Sequence, residues 1–61
     1  MSLIESYRAQ AAAQREAAAK TNLPNRRSMH ERSAITWESM AASAEDTAAR
    51  TQVNEAAKAR N

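Results

Sequence analysis

His30 is the only histidine of the 61-residue chain, and so the only side chain whose ordinary pKa lets it exchange a proton near neutral pH. It sits in the run Arg26-Arg27-Ser28-Met29-His30-Glu31-Arg32. A catalytic reading would make it a general base oriented by a carboxylate and acting beside a nucleophile. Glu31 is its nearest acid, but adjacent residues on a helix point apart. The chain has no cysteine and no glycine, so neither a thiolate nor a glycine-built nucleophile turn accompanies the imidazole. The His-Glu pair also lacks the second histidine four residues on that a zinc-protease helix requires. His30 is therefore expected to be an exposed helix-surface residue. The chain is read as non-enzymatic, with no catalytic, cofactor-binding or metal-ligating residues and no small-molecule substrate.

The same stretch offers a second chemistry. Lys20, Arg26, Arg27 and Arg32, with His30 among them and only Glu31 opposing, form a local excess of positive charge. These five residues are the candidate contact for an anion or nucleic acid, and an adjacent helix start would add free amides and a positive dipole end. Two to four phosphate contacts give weak, strongly salt-dependent affinity, and no aromatic side chain lies near enough in sequence to stack a base. Overall charge is only +2, far from that of a nucleic-acid-coating protein. Glu38, Glu45 and Asp46 lie toward the other end, so opposite charges are expected at the two poles and head-to-tail association is conceivable. Asp46 also stands four residues before Arg50, as a surface helical ion pair would.

These groups are positioned by helices. Sixteen alanines, one proline and no glycine leave a single interruption, Asn22-Leu23-Pro24-Asn25. Ser2 followed by Glu5 is a capping-box pattern and starts a first helix over about 3–21. Within it Glu16 precedes Lys20 by four residues, the order that favours an ion pair. Pro24 has no amide hydrogen and disfavours helical geometry at Leu23, which ends that helix. The turn is expected at 22–25, with Asn25 capping a second helix over about 26–59, roughly 35 residues and 50 Å long. A fraying tail or a kink near Ser43 to Thr47 is the alternative to a continuous helix; Asn61 is the next stop signal.

A short turn between two helices predicts an antiparallel hairpin. Residues whose numbers sum to about 47 then face each other, placing Tyr7 against Met40, Gln14 against Ser33 and Ala18 against Met29. On a helical wheel Met29, Trp37, Met40 and Ala44 span roughly 80°, the stripe expected to face the first helix, with Leu23 closing the turn end. Ile35, Ala42, Ala49 and Val53 fall within roughly 40° on nearly the opposite side. That second stripe, and the residues beyond about 46 that the first helix cannot reach, form the candidate partner interface.

The apolar side chains larger than alanine are few: Met1, Leu3, Ile4, Tyr7, Leu23, Met29, Ile35, Trp37, Met40 and Val53. Chains of this size bury only about 60% of their unfolded surface and usually rely on disulfides, metals or self-association. With cysteine and metal ligands absent, self-association is expected. The fold class is thus an all-α antiparallel hairpin, one domain over 1–61, assembling into a dimeric helical bundle. The expected partner is a second copy or another helical protein. No run of signal-peptide or membrane-spanning length is present, so the chain is expected to be cytoplasmic, with no membrane partner.

Tyr7-Arg8-Ala9, then the alanine-rich helix, then Thr21, Leu23, Asn25 and Arg26, and finally Ala34, Trp37, Met40-Ala41 and Ala44-Glu45 form a pattern. It resembles short, uncharacterised, alanine-rich helical-hairpin proteins of alphaproteobacteria, which read Tyr-Arg early and Trp-x-x-Met/Leu-Ala-x-x-Ala-Glu in the second helix. The resemblance spans residues 7–45 and implies architecture alone: a hairpin in which Tyr7, Trp37 and Met40 are structural. Many of those proteins carry a first-helix cysteine that this chain lacks, so no redox or metal role is implied.

Overall fold

A computed structural model describes residues 2–59 and contains two helices, α1 (Leu3–Lys20) and α2 (Pro24–Ala59), packed as an antiparallel hairpin. Met1 and the stop signal at Asn61 lie outside the described residues.

The ends of α1 follow from its sequence. Ser2 is the N-cap, with extended backbone angles (φ −77°, ψ 163°), and its side chain accepts a hydrogen bond from the Glu5 amide at 3.1 Å. This satisfies one of the amides that a helix start leaves unpaired. At the other end Lys20 pairs with Glu16 at 2.9 Å, and Thr21 turns extended (φ −91°, ψ 141°).

The connection is tighter than expected. Only residues 21–23 lie between the helices, and Pro24 is the first residue of α2 rather than the third of the turn. Proline suits that position: its fixed φ is already helical, and the amide hydrogen it lacks would have had no partner there. Asn25 therefore lies inside the first turn and is not the cap. The Leu23 carbonyl instead accepts the first helical bond, from the Arg27 amide at 2.9 Å. Thr21 completes the connection. Its hydroxyl accepts from the Leu23 amide at 3.2 Å, and its carbonyl accepts from Arg27 Nη2 at 3.1 Å. α2 then runs unbroken through Ser43–Thr47 for 36 residues.

The seam between the helices is built on alanine. Ile4, Tyr7, Ala11, Gln14 and Ala18 recur in alternating steps of three and four along α1 and are buried or half-buried; His30, Ala34, Trp37, Ala41 and Ala44 do so along α2. This spacing is that of a left-handed coiled coil. Among the described residues the buried ones are Ala11, Ala18, Ala34 and Ala41. Tyr7 and Trp37 meet in the seam with ring centroids 5.8 Å apart and planes tilted by 37°.

This corrects the expected core-facing stripe. Met29 (57% exposed) and Met40 (38%) stand outside the seam, and Leu23 (53%) does not seal the turn end. Alanine rows let two backbones approach more closely than longer side chains permit. The row His30, Ala34, Trp37, Ala41 and Ala44 takes the inward side of α2, and helical periodicity leaves Met29 and Met40 on its flank. The axial register matches the expectation: pairs fall on either side of a sum of about 48, with Tyr7–Trp37 and Gln14–His30 below it and Arg8–Glu45 and Arg15–Glu38 above it.

Candidate interaction surfaces

The hairpin is a flat ribbon with extents of 59 × 19 × 10 Å, and its two broad faces differ in chemistry. Arg8 and Arg15, seven residues apart, project from α1 onto one face and meet Glu45 and Glu38, also seven apart, from α2. Arg15 binds both oxygens of Glu38, through Nη2 at 2.5 Å and Nε at 3.4 Å. The hydrogen bond to Glu38, with the charge of that carboxylate behind it, raises the Arg15 pKa above its ordinary value. Arg27 and Glu31 continue this charged face toward the turn, beside Arg15, Ala18 and Ala19. Glu38 and Glu45 are thus neutralised by arginines along the hairpin, and they do not form the acidic pole anticipated from sequence. Asp46 does pair with Arg50 as expected, at 3.2 Å.

The opposite face carries a groove of about 560 Å³ at the open end of the hairpin, with Leu3, Tyr7, Met40, Ala44 and Ala48 in its lining. None of the eight residues lining it is charged. Tyr7 and Met40 do come together here, as the pairing expectation had them, but as two walls of a surface groove rather than as buried core.

His30 is not the exposed residue anticipated. It occupies the seam, half-buried, with Nδ1 2.8 Å from Gln14 Oε1. A carbonyl oxygen only accepts, so Nδ1 carries the proton and donates it. The sequence signal for this was available: His30 lies four residues before Ala34, on the buried row. Among the described residues no three His, Cys, Asp or Glu side chains gather in a way that could hold a metal ion.

Three of the five basic residues singled out in the sequence have partners of their own within the hairpin. Lys20 is engaged by Glu16, Arg27 by the Thr21 carbonyl and His30 by Gln14. Arg26 and Arg32, six residues apart on α2, differ by about 120° around the helix and so point away from each other.

Ile35, Ala42, Ala49 and Val53 lie along the side of α2 remote from α1 and are exposed, Ile35 at 59% and Val53 at 67%. A smaller hollow of about 280 Å³ lies beside them, lined by Ala49, Arg50, Val53 and Asn54. Every residue from 45 to 59 is exposed. No helix among the described residues is long and apolar enough to cross a membrane. Compared with protein-family models, curated proteins and solved structures, the chain matches none.

Proposed function

We propose that this chain is a small non-enzymatic module that works by self-association, two hairpins joining into a helical bundle. The observation that carries the reading is the composition of the core. Among the described residues the buried ones are four alanines and no large side chain is fully enclosed, while Leu3, Leu23, Met29, Ile35, Met40 and Val53 all remain exposed. Fully burying one large apolar side chain stabilises by about 1.5–3 kcal/mol. The isolated hairpin leaves most of that contribution unused, in a size range where stability is marginal. A second copy supplies part of the missing burial, and every residue of α2 from 45 to 59 is exposed in the single hairpin.

Sedimentation of the unmodified chain across a hundredfold concentration range, with helicity followed by circular dichroism on the same samples, tests this. The expected result is a dimer whose helicity falls as dilution dissociates it. A helical monomer at every concentration would refute self-association.

A further inference from the structure

We infer that the second copy docks on the uncharged broad face of the hairpin, end for end, about a two-fold axis level with residues 12 and 36. This rests on the self-association proposed above and specifies its surface.

The first support is the segregation of charge. On α1 the residues turned toward this face are Leu3, Tyr7, Gln10, Gln14, Ala17 and Thr21; on α2 they are Met29, Ser33, Thr36, Met40, Ser43 and Thr47. Both rows run in steps of three and four, the spacing of helices that pack side by side in bundles. Between Leu3 and Thr21 on α1 and between Met29 and Thr47 on α2 neither row contains a charge, although charged residues make up 26% of the chain; Arg26 and Arg50 stand one step beyond the two ends of the α2 row. Covering the stretch between them therefore strands no ion. Covering the other would desolvate Arg8, Arg15, Glu38 and Glu45, which costs free energy that their pairing need not return. The outer stripe of α2 is also less suitable, because Asp46 stands between Ala42 and Val53 on it and Glu31 and Glu38 border it.

The second support is shape. Residues whose numbers add to about 48 share a level in the hairpin. A two-fold axis across the face at residues 12 and 36 pairs each α1 position with the one that brings the sum to 24, and each α2 position with the one that brings it to 72. Tyr7 then faces Ala17 of the second copy, Met29 faces Ser43, and Met40 comes level with Arg32, one position from Ser33. Tyr7 and Met29 thus land on small side chains, as close packing between helices requires. Only the polar pair Gln10–Gln14 and Thr36, which meets itself, lie near the axis. Taken as a slab, the paired half of this face amounts to about a seventh of the 4938 Å² surface, on the order of 700 Å² against the roughly 800 Å² per partner of a standard interface. The dimer is accordingly of moderate affinity and dissociates on dilution.

Because the chain has no cysteine, single cysteines report the contact cleanly. Thr36→Cys and Ile35→Cys are made separately, oxidised with glutathione disulfide at a concentration where the unmodified chain sediments as a dimer, and run on a non-reducing gel. Thr36→Cys is expected to form disulfide-linked dimers and Ile35→Cys to stay monomeric on the gel. In parallel, Met40→Lys is expected to weaken dimerisation by about tenfold or more, with circular dichroism at high concentration showing that the helices persist. If the unmodified chain is a monomer throughout, self-association itself fails and this inference with it. If it is a dimer, the inference alone is overturned by cross-linking at residue 35 as strong as at 36, by no cross-linking at 36, or by a Met40→Lys chain of unchanged dimer mass.

Discussion

One broad face of the ribbon holds both ion pairs between the helices, Arg8–Glu45 and Arg15–Glu38, while the rows on the other carry no charge and open into a groove beside Leu3, Tyr7 and Met40. The difference suggests a division of labour. The alanines of the seam are interchangeable and fix little of how far one helix slides along the other; within it that falls to Tyr7 against Trp37 and Gln14 against His30. Arginines and glutamates repeated every seven residues add to that register without entering the seam. The uncharged face is left free of ions that would obstruct burial. One face aligns the hairpin internally, and the other is suited to meeting a second copy.

The largest effect on this arrangement should come from the seam on which both faces depend. Ala34 is 0% exposed, and Ala34→Leu should force the axes apart and destabilise by about 1–3 kcal/mol, as overpacking does; the urea midpoint measures it. Removing the cap with Ser2→Ala comes next, at about 1 kcal/mol. It should also loosen Leu3 at the mouth of the groove, measurable as faster amide exchange in the first turn of α1.

Reversing one partner on the charged face, Arg15→Glu, should lower the melting temperature slightly by setting like charges together. Arg15→Glu with Glu38→Arg should restore it, and the difference should shrink in high salt because both side chains are about half exposed. A full loss of helicity in the single variant would mean that the charged face does more than set register.

The smallest effect is the pH dependence at Glu16. The hydrogen bond from Lys20, helped by the lysine charge, holds its carboxyl below the usual carboxylate value. A carboxyl with a lowered pKa in the fold contributes stability that is fully present above the unfolded value and is lost as pH falls through the folded one. Helicity should therefore decline slightly on acidification through the carboxylate range, and Glu16→Gln should remove part of that slope.

Both helices were legible in the sequence because their boundaries are set by single residues with local physics: Ser2 by its hydroxyl and Pro24 by its ring. The second helix begins two residues earlier than its sequence suggests because proline both ends one helix and begins another, and only the close of the chain at 21–23 decides which role it plays. The seam was harder to read. A helical wheel weights methionine above alanine, whereas close helix approach selects alanine. The stripe was consequently centred near Met29 and Met40, to one side of the Ala34–Ala41 row. His30 was missed for the same reason, as a polar side chain set within a row whose spacing, not hydropathy, marks it as internal. The charged face was visible in principle as Arg8 with Arg15 and Glu38 with Glu45, each a seven-residue repeat. The basic group about the turn is the hardest to read from sequence, because the partners of Arg27 and His30 are fixed only once the hairpin closes, whereas that of Lys20 is set within α1.

The comparison of faces is tested most directly by placing one charge change on each and measuring sedimentation mass at a concentration where the unmodified chain is a dimer. Met40→Glu, on the uncharged face, should give a monomer, and Arg8→Gln, on the charged face, should remain a dimer. A dimeric Met40→Glu chain beside a monomeric Arg8→Gln chain would contradict the account.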